Sequence, residues 1–212
     1  PSTLQAGLSL LALLACLAEA PLILHAWLRS GNTSSSRGAP LFLREALALL
    51  PPKWRVRCVR ADSGFFSSEL LEALEELALP FIVVARMTFQ IKSHLRSVSR
   101  WRDMDDDFSV GEFTARLQGW SRARRFVVVR EKVKEKGEDN KAAKTKGRKL
   151  LDVPGYTYRV FVTNSVELPE AVWRDYNQRA TMEQRIEELK NDLHVQGFCT
   201  QDFFATESAF LG

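Results

Sequence analysis

The sequence predicts an α/β fold in which a mixed sheet is flanked by helices and a β-rich insertion precedes a C-terminal helix. Short apolar runs alternate with helix-type segments in the first part of the chain, as expected for a sheet with crossover helices. The middle of the chain alternates apolar and polar residues between charged, glycine-bearing loops, which is typical of antiparallel strands. A segment of strongly helical composition begins at Tyr176.

Composition indicates an ordinary globular chain with one basic segment. The 212 residues are 45% hydrophobic and 26% charged, with a net charge of +4, and are enough for one sizeable core. Nine Lys/Arg and four Asp/Glu lie between Arg130 and Lys149, so the rest of the chain is close to neutral. We therefore expect a local cationic loop. The three scattered cysteines favour free thiols in a reducing compartment over a disulfide framework or a zinc site.

The first elements are two strands and a helix. The segment Leu4–Leu24 is nearly long enough to span a bilayer, but polar residues and a proline interrupt it and no basic flank precedes it. We interpret it as two buried strands of a central sheet, with a turn near Glu19–Pro21, and a membrane-tethered protein is the alternative. Helical spacing over Ala39–Leu50 predicts a helix that ends at the following two prolines.

A strand–helix–strand unit follows. Trp54–Ala61 alternates apolar and basic residues, a serine-capped helix runs to Leu77, and Phe81–Arg86 is a buried strand. The unit has the size of a βαβ crossover. Asp62 directly follows the first strand, and ligands of such sheets gather outside the carboxyl ends of strands.

The predicted helix Tyr176–Lys190 carries a polar stripe beside an apolar face. At about 100° per residue, Tyr176, Arg179, Glu183 and Lys190 fall within an arc of roughly 60°. A carboxylate that can hold a metal, flanked by two phosphate-binding cations, suits phosphoryl-transfer chemistry.

This spacing resembles the Y-R-E-K signature of a large group of bacterial insertion-sequence DDE transposases. The segment RADSGFFSSELLEALEE (Arg60–Glu76) is similar to the family's block around its second catalytic Asp, and AWLRSGNTSSSRGA (Ala26–Ala39) resembles the segment upstream of it. The resemblance implies a ribonuclease-H-like core formed by residues 1–87 and 164–212. It also implies a β-rich insertion at 88–163, with a basic disordered loop at about 131–150.

The resemblance also implies a chemistry, namely metal-dependent DNA strand cleavage and strand transfer at insertion-sequence ends. Asp62 would be the second Asp and Glu183 the Glu, and both would be catalytic residues that hold two Mg²⁺ or Mn²⁺ ions. The residues expected to contact DNA are Tyr176, Arg179, Lys190, Arg124 and Arg125. The partners would be the terminal inverted repeats and target DNA, bound by a homodimer in the bacterial cytoplasm, at the nucleoid and away from any membrane.

The family's first Asp lies upstream of the equivalent of Leu8, so the resemblance implies an N-terminally truncated and inactive fragment. A non-catalytic, nucleic-acid-binding transposase remnant is the alternative. Structural interpretations also stay open, with Asp62 as a turn or helix cap and Glu183 as half of a surface ion pair. The carboxylate cluster at 103–107 is interpreted as a solvated acidic loop.

Overall fold

A computed structural model describes residues 10–17, 22–30, 33–133 and 155–177. Arg179, Glu183 and Lys190, and most of the basic loop, lie outside the described residues. The chain divides into two compact units. One combines Pro1–Arg55 with Asn177–Gly212, and the other is Val56–Tyr176.

The first unit contains a hairpin and a helix. Strands β1 (Leu10–Leu17) and β2 (Leu22–Ser30) confirm the two predicted strands, but they pair antiparallel as a two-stranded sheet of their own. The prediction that they belong to a central sheet is therefore wrong. Helix α1 (Ala39–Ala48) ends two residues earlier than predicted. Glu45 of α1 accepts a hydrogen bond from the indole N–H of Trp27 at 2.8 Å and so joins α1 to β2. None of the helices in the described part of the chain combines the length and the apolar composition of a membrane span.

The second unit is built on a six-stranded mixed sheet of order β3-β4-β8-β7-β6-β5. Only β3 and β4 pair in parallel, and all other neighbours are antiparallel. The strands are β3 (Val59–Ala61), β4 (Phe81–Val84), β5 (Arg102–Asp103), β6 (Phe108–Ala115), β7 (Arg124–Lys132) and β8 (Tyr156–Thr163). The helices are α2 (Ser68–Glu76), α3 (Phe89–Arg96) and α4 (Pro169–Asn177). The predicted fold class, a mixed sheet flanked by helices, is confirmed.

Helices cover both faces of this sheet. On one face, Val172 and Tyr176 of α4 belong to a buried apolar cluster with Ile82, Val127 and Phe161. Side chains alternate along a strand, so the neighbours of these strand residues point to the opposite face. The opposite face carries Phe126 and Arg124 of β7. Phe126 stacks against neighbouring aromatic rings, and Arg124 forms an ion pair with α2.

Two elements differ from the sequence prediction. The strand expected over Trp54–Ala61 is shorter in the structure and is β3. It lies at the edge of the sheet, and only its last three predicted residues pair with its single neighbour, β4. Helix α3 is not in the prediction. It spans eight residues, and two turns are too short to show a long helical pattern. Thr88 caps it by accepting a hydrogen bond from the Ile91 N–H.

The strands predicted for an insertion share the sheet with the βαβ unit, since β8 pairs with β4. The runs predicted as β-type in this region are confirmed as β6, β7 and β8. The division of the chain into a core and an insertion at residues 88–163 stays a prediction.

Arg124 is buried, although the sequence analysis assigned it to a DNA-binding surface. The residue is 4% exposed, and its guanidinium donates to both carboxylate oxygens of Glu75, at 2.7 and 2.8 Å. It also lies over the Trp120 ring, 4.7 Å from the centroid. Burial makes the pair necessary, because an isolated charge in this environment is costly. A DNA contact by Arg124 would require this ion pair to open.

Glu75→Gln should lower the free energy of unfolding by about 3–5 kcal/mol, because it leaves the buried guanidinium of Arg124 without a counter-charge. The control is Glu112→Gln, which removes the more exposed pair between Glu112 and Arg125 and should cost about 1 kcal/mol or less. Urea unfolding followed by circular dichroism measures both variants. Equal losses in the two variants would contradict a structural role for the buried pair.

Candidate functional site

Asp62 lies at the carboxyl end of β3, as predicted. It directly follows Ala61, the last residue of the strand, and begins a 3-10 turn over Ser63–Phe65. Its carboxylate accepts a hydrogen bond from the Gly64 N–H at 2.8 Å, and the residue is exposed. Asp62 therefore caps a turn and also presents a carboxylate at the end of the sheet where ligands of α/β proteins bind.

The strand register shows which face of the sheet Asp62 points to. Arg60 is aligned with Ile82 of the parallel neighbour, and Ile82 belongs to the apolar cluster beneath α4. Asp62 is two residues beyond Arg60, and its backbone is extended, with φ −81° and ψ 178°. Residues two apart in extended backbone leave on the same side. Asp62 thus faces the side of the sheet that α4 covers.

Arg86 holds the turn that Asp62 begins. It lies just beyond the end of β4, the parallel neighbour of β3. Its Nε donates to the Ser63 carbonyl at 2.8 Å, and its Nη2 donates to the Gly64 carbonyl at 2.9 Å. The sequence analysis did not single out Arg86. Its position after a buried strand could have predicted that it lies near Asp62, because the carboxyl ends of parallel strands meet at one edge of a sheet.

A second group of charged side chains joins β3, and the residues just before it, to α4. Asp175 Oδ1 accepts hydrogen bonds from Arg60 Nη2 at 2.5 Å and from Arg57 Nη2 at 2.8 Å. Burial by itself raises the pKa of Asp175, but the hydrogen bonds and charges of Arg60 and Arg57 outweigh it and lower the pKa below its ordinary value. Asp175 is therefore ionised at neutral pH. These three residues were also not predicted as part of a site.

Cys58 lies beside this group, and its chemistry follows from it. Burial, and then the negative charge of Asp175, raise the pKa of the Cys58 thiol to about 11. The thiol is thus protonated at neutral pH, which makes it a poor nucleophile and a poor metal ligand.

The structure describes two of the remaining predicted site residues, Tyr176 and Arg125. Tyr176 is in the core and not on a polar stripe. It is 7% exposed, and its ring lies 4.7 Å from that of Phe161, because a large aromatic surface gains more by burial than by exposure. Arg125 is paired with Glu112 and also donates to the carbonyls of Ser165 and Glu167. The structure does not describe Arg179, Glu183 and Lys190, so their roles stay predictions.

The metal-binding capacity of the described residues is limited. Across 10–17, 22–30, 33–133 and 155–177, no three or more His, Cys, Asp or Glu side chains are grouped to hold a metal ion. Asp62 fits the predicted ions as a single ligand, because an exposed carboxylate is a hard oxygen donor of the kind Mg²⁺ and Mn²⁺ prefer. A site with three or more such ligands that includes Asp62 would therefore need residues outside the described ranges.

Sequence comparisons identify the family. Comparison with curated proteins finds no match. The family model described as transposase DDE domain group 1 matches residues 18–208, which include Asp62 and all four residues of the Y-R-E-K spacing. Transposases are DNA-binding enzymes of DNA recombination, and DDE transposases in general use divalent metal ions. The match covers most of the 212 residues, and the chain therefore belongs to the transposase DDE domain family, group 1.

Proposed function

We propose that the protein carries out metal-dependent cleavage and transfer of DNA strands at the ends of an insertion sequence. The observation that carries the proposal is the placement of Asp62. Its carboxylate lies at the carboxyl end of β3, on the face covered by the helix that leads in sequence into Arg179, Glu183 and Lys190. The family match over residues 18–208 supports the same chemistry.

Asp62 and Glu183 are the residues proposed to hold two Mg²⁺ or Mn²⁺ ions. When bound, two such metal ions would activate the attacking oxygen and stabilise the leaving oxygen of an in-line phosphodiester displacement. Asp62 contributes a carboxylate on a turn that Arg86 fastens to the neighbouring strand, which limits the movement of that ligand. Glu183 contributes the second carboxylate.

The DNA contacts are proposed from side-chain charge and from the family resemblance. Arg179 and Lys190 are proposed to bind phosphates near the cleaved bond. Arg125 lies at the sheet surface and stays a candidate for a phosphate contact. Arg124 and Tyr176 are also predicted DNA contacts, but both are buried, at 4% and 7% exposure, which does not favour a direct contact with DNA.

The proposed partners are the terminal inverted repeats of the element and its target DNA. We further propose that the active form is a homodimer acting on paired ends, in the bacterial cytoplasm at the nucleoid. The alternative function is a remnant that binds nucleic acid without catalysis. The cap that Asp62 provides for its own turn favours this alternative, because it gives the residue a purely structural use.

The carboxylates can be tested in the full-length product of the natural gene. Asp62→Asn and Glu183→Gln should each lower Mg²⁺-dependent cleavage of a duplex carrying the element's ends by more than about a hundredfold. Losing a metal ligand should slow cleavage more than losing a residue that only orients a ligand. Asn retains the oxygen that caps the turn, so Asp62→Asn separates ligand from cap.

The control for both is Asp106→Asn, an exposed residue of the acidic loop, which should leave the cleavage rate unchanged. If Asp62→Asn cleaves as fast as the unaltered protein, Asp62 is only a cap. If the unaltered protein binds the duplex but never cuts it with Mg²⁺ or Mn²⁺, the remnant interpretation is correct.

The basic segment Arg130–Lys149 should supply sequence-independent affinity for DNA. Replacing Lys141, Lys144, Lys146 and Lys149 by Gln should make the plot of log affinity against log salt concentration shallower by about 3 to 4, since each phosphate contact adds about 0.9 to the slope. Fluorescence anisotropy with a labelled duplex measures the slope. The matched control replaces the same four residues by Arg and should retain it. An unchanged slope in the Gln variant would show that DNA binds elsewhere.

A further inference from the structure

We propose that Arg86 is a phosphate-binding residue of the Asp62 site and contacts the DNA strand beside the bond to be cleaved. The proposal rests on the proposed function, because it takes DNA as the ligand and Asp62 as a residue of the active site. It gives Arg86 a contact with the substrate in addition to its hydrogen bonds with the turn.

The guanidinium of Arg86 keeps a positive charge that no described side chain neutralises. The two groups that accept its hydrogen bonds, the carbonyls of Ser63 and Gly64, are uncharged. Arg86 is exposed, and none of the ion pairs among the described residues includes it. Six other arginines of the same unit each pair with a carboxylate, namely Arg57, Arg60, Arg102, Arg122, Arg124 and Arg125. Arg86 therefore differs from them in having its charge available to an anion.

The hydrogen bonds of Arg86 also leave one edge of its guanidinium open to a ligand. Arginine has five N–H donors in a planar fork. Nε and Nη2 form the edge that donates to the carbonyls of Ser63 and Gly64. The other edge is formed by Nη1 and the second donor of Nη2, and in the described part of the chain nothing accepts a hydrogen bond from Nη1. Two parallel donors of this kind match the oxygens of a phosphate group.

The turn fixes the orientation of this guanidinium before any ligand binds. An exposed arginine ordinarily loses rotamer freedom when it contacts a partner, and this loss weakens binding. Two hydrogen bonds, of 2.8 and 2.9 Å, already hold the plane of the Arg86 guanidinium against the backbone of the turn. Most of the ordering has therefore taken place in folding, which favours a phosphate contact at this position over one by a mobile surface arginine.

Arg86 can reach the same stretch of DNA backbone as Asp62. Gly64, whose carbonyl accepts from Arg86, is two residues after Asp62, a separation of at most about 7 Å along the chain. Successive phosphates of one DNA strand are about 3.4 Å apart along the helix axis. The phosphate that Arg86 contacts should therefore be the cleaved one or a close neighbour of it.

Methylphosphonate interference tests this contact. A methylphosphonate replaces a charged phosphate oxygen by a methyl group and so removes the anion that a guanidinium binds. The full-length product of the natural gene is titrated with labelled duplexes carrying the element's ends, each with one methylphosphonate at the cleaved position or at a neighbouring one. Fluorescence anisotropy measures the affinity, with Ca²⁺ in place of Mg²⁺ so that the duplex stays intact.

The unaltered protein and Arg86→Gln should respond differently to one of these positions. There, the methylphosphonate should weaken binding by the unaltered protein about tenfold, as expected for loss of a hydrogen bond to a charged group. Arg86→Gln should bind the unmodified duplex about tenfold more weakly and should be insensitive to the methylphosphonate at that position, since the contact is already lost.

Arg96→Gln is the matched control. Arg96 is the last residue of α3, is exposed, and takes part in no ion pair of the described residues, so its replacement removes the same charge from the same unit. Helix α3 covers the other face of the sheet, because His94 stacks on Phe113, which stacks on Phe126. Arg96→Gln should therefore keep the interference pattern of the unaltered protein.

The outcomes separate the contact from a purely structural role. If folded Arg86→Gln binds more weakly but stays sensitive at every position at which the unaltered protein is sensitive, Arg86 acts only through the turn and the proposal is overturned. Absence of any sensitive position in the unaltered protein would overturn it as well. If circular dichroism shows that Arg86→Gln does not fold, Arg86→Lys replaces it, since Lys retains the charge but not the planar fork. Its sensitivity should be reduced, and an unchanged sensitivity would contradict the proposal.

Failure of the proposed function gives a different result. An unaltered protein that binds the duplex but never cuts it with Mg²⁺ lacks the proposed catalysis, and the interference pattern still decides whether Arg86 contacts a phosphate. An unaltered protein that does not bind the duplex contradicts both proposals.

Discussion

The pairing of β4 with β8 is the contact on which the larger unit depends. It aligns Ile82 with Thr163 and Val84 with Phe161, across about 80 residues of chain. Side chains reinforce its end: the Thr163 hydroxyl donates to the Phe81 carbonyl at 2.6 Å, and the Asn164 carboxamide accepts from the Phe81 N–H and donates to the Leu79 carbonyl. Without this ladder, the parallel β3–β4 pair and the antiparallel strands β5 to β8 would be two separate small sheets, each with an open edge.

This pairing also determines where the candidate site is formed. Helix α4 follows β8 after a short connection. Because the ladder places β8 in the same sheet as β3, α4 begins close to the sheet that contains β3. Asp175 then reaches Arg60, while Arg86 at the end of β4 fastens the turn of Asp62. Three segments that are far apart in sequence thus converge at one end of the sheet. Closing loops of this length costs entropy, which the buried strands β7 and β8 offset through their largely apolar side chains.

Local patterns allowed much of this fold to be predicted, and long-range contacts account for what was missed. Helix α2 was predicted from its serine cap and periodicity, and the placement of Asp62 from the adjacent β-strand pattern, because both signals lie within a few residues. The order of the strands depends on the β4–β8 ladder, for which adjacent residues carry no signal. Tyr176 was placed on a polar stripe because helical angles separate faces by only tens of degrees, whereas its contact with Phe161 decides its burial. Glu183 lies beyond the described residues, so its role rests on spacing and family membership.

Burial also changes how the arginines of this chain should be interpreted. A cluster of basic residues is the usual electrostatic footprint of a DNA-binding protein. Here the two most shielded guanidiniums in the ion pairs, those of Arg60 and Arg124, are neutralised by Asp175 and Glu75. A guanidinium held by a carboxylate in a shielded place releases no counterions from DNA, so it adds nothing to the salt-dependent part of DNA affinity. Its contribution is geometric: Arg124 holds α2 to the sheet, and Arg60 holds α4 to β3. The electrostatic attraction proposed for DNA is therefore assigned to other basic residues, and the segment Arg130–Lys149, with nine Lys/Arg against four Asp/Glu, is the strongest concentration of positive charge in the sequence.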